Sequence, residues 1–174
     1  MRHTLSILVE NRFGELSRIV GLFSARGYNI ESLSVAETLD PNVSRMTLVT
    51  RGDDKTIEQI TRQLDKQVRV LKAVDMTGFK HIEREMALIN ITAQAGAARQ
   101  EVLSLVSIFR AKVVDVSDEG IIVEATGDWS KVSALIDLLK PFGISEIVRT
   151  GTVAIARLSE RSMNNEIDEE EMVI

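Results

Sequence analysis

The chain of 174 residues contains no cysteine, which excludes disulfides, thiolate nucleophiles and cysteine-ligated zinc. Its two histidines, His3 and His81, are too few and too far apart to build a metal site alone, and both read as structural or solvent-facing. Aromatic residues are 4% of the chain, too sparse for a surface that stacks bases or sugars on rings. No apolar run is long enough to cross a bilayer: Leu5–Val9 and Ala87–Ile91 are typical. Arg2 is followed by strand-like alternation and then by Glu10, unlike a secretory signal, so a soluble, cytoplasmic chain is expected. Charge of one sign is scarce too. Residues 159–174 hold six acids and one base, while residues 1–158 balance 20 bases against 20 acids. Without a basic surplus a nucleic-acid role is disfavoured. No nucleophile–base pair, metal-ligand spacing or phosphate loop is present.

What the chain does have is a repeat. Leu16, Ile19, Val20 and Phe23 fall at the spacing of one buried helical stripe. Ile57, Ile60, Thr61 and Leu64 repeat it, as do Val102, Leu105, Val106 and Phe109, and Val132, Leu135, Ile136 and Leu139. Between these helices lie period-two segments predicted as strands: 4–10, 29–38, 44–51, 67–75, 85–93, 111–117, 120–126 and 143–156. Residues 39–42, Leu-Asp-Pro-Asn, read as a turn, Gly27 as a helix C-terminus and Asp128 as a helix N-cap.

The order is βαββαβ twice. This predicts an α+β chain of two tandem ferredoxin-like domains, each an antiparallel sheet with both helices on one face. The expected boundaries are 1–76, a linker 77–85, a second domain 86–158 and an acidic tail 159–174. Units of about 75 residues are marginal alone, so pairing between units or between chains is expected.

The fold does not name a function; a site must. The segment Glu10–Leu16 passes from the first strand into the first helix. Gly14 lets backbone approach a ligand closely, and the helix start offers N–H donors and partial positive charge to a carboxylate. Asn11 can cap the helix or hold an amine. Asn29 and Ile30, after Gly27, open the next strand and form a second cluster. From these residues alone, the alternative that they only shape turns stays open. The second copy is an internal control. A displacement of 86 residues, Leu16 to Val102, sets Asn11–Leu16 against Ala97–Val102. Gly27–Ile30 then meets Val113–Val116, or Arg110–Val113 if that strand starts sooner. Glycine and asparagine are expected to be missing there, which makes the first domain the ligand binder. Trp129 reads as a packing anchor.

Residues 10–35, with Asp40-Pro41, Ser44–Thr47, His81–Glu85, Ile108–Val116 and Val148–Gly151, resemble the small regulatory subunit of acetolactate synthase (acetohydroxyacid synthase), over about residues 1–158. The resemblance implies an N-terminal ACT domain, a homodimer through ACT domains, and a catalytic large subunit as partner. That partner would carry thiamine diphosphate, magnesium and FAD, with none in this chain. It implies a non-catalytic chain that activates the partner and confers feedback inhibition by valine on branched-chain amino-acid (valine, leucine and isoleucine) biosynthesis. Carried over by position, the effector residues are Asn11, Gly14, Glu15, Leu16, Asn29 and Ile30. Phe13 departs from the proline or small residue usual in that loop. Two other readings share the topology: a stand-alone amino-acid-sensing tandem-ACT regulator, and an acylphosphatase-like enzyme using Arg12. An RNA-recognition fold would need aromatics on its central strands, which 4–10 and 44–51 lack.

Overall fold

A computed structural model describes residues 1–161; the acidic tail lies outside them beyond its first residues. Two compact units emerge, residues 1–82 with 153–161, and residues 83–152.

The first unit contains β1 (Arg2–Glu10), α1 (Glu15–Ser24), β2 (Ile30–Glu37), β3 (Val43–Arg51), α2 (Asp54–Leu64) and β4 (Val70–Asp75). The sheet order is β2-β3-β1-β4, and its recorded pairings are antiparallel. Leu5 lies opposite Leu48 and Ile7 opposite Met46, and all four are buried with Ile19, Phe23, Ile57, Ile60 and Leu64. This follows from the period-two and period-3.6 patterns, which turn every apolar stripe toward one layer.

The second unit repeats the plan with β5 (His81–Ile91), α3 (Ala97–Ile108), β6 (Lys112–Val116), β7 (Ile121–Gly127), α4 (Trp129–Leu139) and β8 (Ile144–Arg149), in the order β6-β7-β5-β8. Its core is Ala87, Ile89, Ile91, Val102, Val106, Val123, Val132, Leu135, Ile136 and Leu139 among others. Asp53 and Asp128 cap α2 and α4 by accepting from the Thr56 and Lys131 N–H groups. Hydrogen bonds from Thr56 hold Asp53 below the ordinary carboxylate value, and those from Ser130 and Lys131 do the same for Asp128.

Three local expectations change. Leu16 is 45% exposed; the buried face of α1 is Glu15, Ile19 and Phe23. β5 begins at His81, so the segment 77–85 is not a free linker: it holds a 3₁₀ turn at Met76–Gly78 and then strand. The expected strand 143–156 is two, β8 and β9 (Val153–Ala156), broken around Gly151, whose φ is +82°. β9 lies beside the first residues of β5, where Arg157 N–H donates to the Lys80 carbonyl at 3.0 Å.

The sheet of the first unit is also covered on both faces along β1. Thr4 and Ser6 are buried like Leu5 and Ile7, and Thr4 N–H donates to Thr77 Oγ1 at 3.1 Å. His3 is buried, its Nδ1 donating to Asp75 at 2.9 Å. Burial pushes the Asp75 carboxyl up, but hydrogen bonds from Thr77 and His3 outweigh it and leave the group below its ordinary value. His81 Nδ1 donates to the Phe79 carbonyl. Trp129 is 41% exposed.

Candidate functional site

Gly14 is the N-cap of α1, with φ +89° and no side-chain cap. A Cβ built there meets nothing within 4 Å, so glycine is required by the left-handed backbone rather than by crowding. Asn11 does not cap the helix. Its amide donates to the Pro41 carbonyl at 2.9 Å and to Glu37 at 3.2 Å, and its own N–H donates to the Asn42 carbonyl at 2.6 Å. The side chain thus ties the strand–helix loop to the β2–β3 turn, and the glycine loop is anchored from below.

Glu15, the first residue of α1, is only 3% exposed. Its Oε1 accepts from Arg69 Nη1 at 3.0 Å and lies 3.6 Å from Arg18. Oε2 is buried with no hydrogen-bond partner among the described residues. An anion at a helix N-terminus is favoured by the dipole, and here the two arginines neutralise it as well. Glu15 therefore supports the loop with its side chain and offers a ligand only its backbone. Arg69 was not apparent from periodicity. The available signal was Glu15 itself, an acid at i, i+4, i+8 with Ile19 and Phe23, which demands a cationic partner once buried.

Asn29 and Ile30 sit elsewhere. The Asn29 carbonyl accepts from Thr50 Oγ1 at 2.7 Å, and Ile30 pairs with Thr50, itself opposite His3. Glu37, at the other end of β2, pairs with Ser44, opposite Val9. Seven residue steps at about 3.3 Å put these ends roughly 23 Å apart. Within one chain, Asn11, Gly14, Glu15 and Leu16 are brought together, and Asn29 and Ile30 are at the opposite end of the sheet. Arg12 is exposed, its Nε 4.0 Å from Glu10.

The internal control also shifts. Gly27 and Arg110 donate to the Ser24 and Ser107 carbonyls, and Tyr28 and Ala111 to those of Phe23 and Val106. The matching displacement is therefore 83 residues, Phe23 to Val106, and Gly27–Ile30 corresponds to Arg110–Val113. Asn11–Leu16 corresponds to Gln94–Arg99. The second unit lacks the asparagines, as expected, but Gly96 caps α3, so a glycine at the helix start is not peculiar to the first copy. The anchoring differs instead: Arg99 donates to the carbonyls of Ala93, Ser117 and Asp118.

Comparison with known proteins places the chain. Residues 5–72 match the family described as AHAS small subunit-like ACT domain, and residues 84–158 match the small subunit of acetolactate synthase. The chain belongs to the acetolactate synthase small-subunit family. It is similar to the acetolactate synthase small subunit of Aquifex aeolicus, with 48% identity over 97% of this chain and 86% of that protein. Its likeness to that of Mycobacterium leprae is 48% identity over 89% of this chain and 91% of the relative. The crystal structure of the Thermotoga maritima small subunit shares 45% identity with a TM-score of 0.81, covering 90% of this chain and 98% of that one. Within the family, the ACT match covers the unit that carries Asn11 and Gly14. Among the described residues no helix is long and apolar enough to cross a membrane.

Proposed function

We propose that this chain is the non-catalytic regulatory subunit of acetolactate synthase. It docks on the catalytic large subunit, which carries thiamine diphosphate, magnesium and FAD, raises its activity, and makes it sensitive to valine. Family membership supports the partner. The observation that supports the effector site is the placement of its two halves at opposite ends of β2, an edge strand whose outer side takes no partner strand among the described residues. Edge strands invite pairing. A two-fold pairing of β2 with its copy is antiparallel by symmetry, and it sets Asn29 and Ile30 of one chain beside Asn11 and Gly14 of the other. A site incomplete in one chain becomes whole in a homodimer.

In that site the valine carboxylate meets the N–H groups of Gly14 and Leu16, with that of Glu15 released from its long 3.4 Å bond to the Arg12 carbonyl. The ammonium meets the Asn29 side chain or a carbonyl across the interface, and the isopropyl group rests on Ile30. Charge-assisted hydrogen bonds contribute about 1.5–3 kcal/mol each before ordering costs. A sensor working at roughly millimolar valine needs only about −4 kcal/mol. Occupancy then biases the relation of the two chains, with a coupling of about 1–3 kcal/mol.

Gly14→Asp tests the pose. There is room for the side chain, so the variant sets a carboxylate against the ligand's own while also straining φ; Gly14→Ala supplies the strain alone. With the catalytic subunit present, Gly14→Asp is expected to keep stimulation and lose valine inhibition, and Gly14→Ala to weaken inhibition partly. Full valine inhibition of the aspartate variant would refute the pose.

A further inference from the structure

The three most exposed large apolar side chains among the described residues are Phe13, Leu39 and Val68, each at least 91% exposed. They occupy three different loops: β1–α1, β2–β3 and α2–β4. Those loops meet at one end of the first sheet. Asn11 binds the first to the second through the Pro41 and Asn42 carbonyls, and Glu10 N–H donates to the Arg69 carbonyl at 2.9 Å, joining the third. Arg12, Arg18 and Arg69, each at least 42% exposed, flank them. Exposed apolar side chains on a fixed scaffold, with an aromatic and arginines, have the composition of an interface hot spot.

The fold does not require this crown. At the same end of the second unit the β5–α3 and β6–β7 loops present Gln94, Ala95, Asp118 and Glu119, and the α4–β8 loop carries Phe142, which is packed partly buried against its own core. None of the three presents a large apolar side chain as exposed as Phe13, Leu39 and Val68. Nor does the edge-on pairing of β2 require it. The crown runs across the whole width of the sheet, from the turn beside edge strand β2, over central β1, to the loop before edge strand β4. A second copy docked along β2 approaches that end from its β2 side, at Asn11 and Gly14, and does not reach across β1 to the loop before β4.

We infer that Phe13, Leu39 and Val68 form the end-on contact of the ACT unit with the catalytic large subunit. This rests on the functional reading above. Phe13 adjoins Gly14, so the loop that would hold valine also carries a contact to the partner, and an occupied site reaches that contact directly. Three side chains are a centre, not a whole interface of about 800 Å² per partner, so further contacts surround them.

The test uses the full chain and the catalytic subunit. The triple variant Phe13→Ser, Leu39→Ser, Val68→Ser is compared with the wild type in affinity for the large subunit, in self-association and in thermal unfolding. Because all three positions are solvent-exposed, folding and self-association should be unchanged, while Kd for the large subunit rises roughly thirtyfold or more. The exposed Ile108 of the second unit, changed to serine, should leave Kd within about twofold. If the wild type neither binds nor stimulates the large subunit, the functional reading itself fails. If the wild type binds and the triple variant binds equally well, only the crown assignment is overturned. Loss of self-association with large-subunit affinity retained also overturns it, assigning the crown to a second copy.

Discussion

The two units share strand order, helix placement and capped second helices, and they differ in how their loops are fastened. In the first, a neutral asparagine ties the strand–helix loop to a neighbouring turn and leaves the helix start open around Gly14. In the second, Arg99 fills the corresponding end, donating to three carbonyls from two loops. The same topology thus has one end available for a ligand and one end closed by its own guanidinium. Fold alone singles out neither unit as a ligand binder; the proposal for the first rests on its loop chemistry.

The cores provide the largest way to break this comparison. Phe23 and Val106 hold equivalent places at the ends of α1 and α3, both inside their clusters. Phe23→Ala removes a fully buried ring and is expected to cost about 3–5 kcal/mol, whereas Val106→Ala costs about 2. Amide hydrogen exchange should report the loss in the mutated unit's own strands. Equal loss of protection in both units from either variant would show that they do not unfold as separate cores.

The next effect concerns buried acids. Each unit has a glutamate about 3% exposed paired with a half-exposed arginine: Glu15 with Arg69, and Glu85 with Arg149. Replacing either arginine by methionine leaves a carboxylate out of water without its main partner. Intact burial of such a charge would cost 3–5 kcal/mol; solvent reaching the arginine side reduces this to about 1–2 kcal/mol. Denaturant midpoints should show similar losses for both variants. Only Arg69→Met should also weaken the valine response, because only Glu15 sits beneath the proposed site. An equal loss of valine response in Arg149→Met would detach that response from the Glu15 pair.

These residues mark what the sequence made legible. Apolar periodicity located four helices and most strands, since burial of a stripe needs only a count of apolar positions. It misjudged α1, where the inward residue is Glu15 and the apolar Leu16 faces out, because a paired carboxylate can take a core position that no hydrophobic count detects. The break between β8 and β9 was hidden because alternation continues on both sides of Gly151, and the early start of β5 because it comes with the non-local pairing to β9, which local alternation does not reveal. Asn11, Gly14 and Asn29 were visible as residues able to bind. That they lie at opposite ends of one sheet emerged only from strand register, which a single sequence does not encode locally.

Capping asparates give a smaller effect, and one that should be the same in both units. Asp128 and Asp53 accept N–H groups at their helix starts and are held below the ordinary carboxylate value of 3.8. A depressed folded-state value means that the stabilisation is fully present above 3.8 and is lost as pH falls through the folded value. Asp128→Ala should cost about 1 kcal/mol at neutral pH. The difference from wild type should close in acid, as the wild-type cap is protonated. A gap that persists at pH 2 would mean that packing, not the charged cap, carries the effect.

The smallest effect separates the two helix C-termini. Gly27 and Arg110 both adopt positive φ, +72° and +51°, and both close the same pair of backbone hydrogen bonds. Only the first copy uses the residue that adopts this conformation freely. Gly27→Ala should destabilise by about 1 kcal/mol through left-handed strain alone, since its Cβ would meet nothing within 4 Å. Arg110→Gly runs the other way. It removes strain of about 1 kcal/mol from the folded state but adds unfolded-state entropy worth about 0.4–1 kcal/mol. The net change should lie within about 0.5 kcal/mol of zero, on the stabilising side. Urea titration of both variants separates the outcomes, and a loss of 1 kcal/mol or more from Arg110→Gly would mean that the arginine side chain, not its backbone, holds that turn.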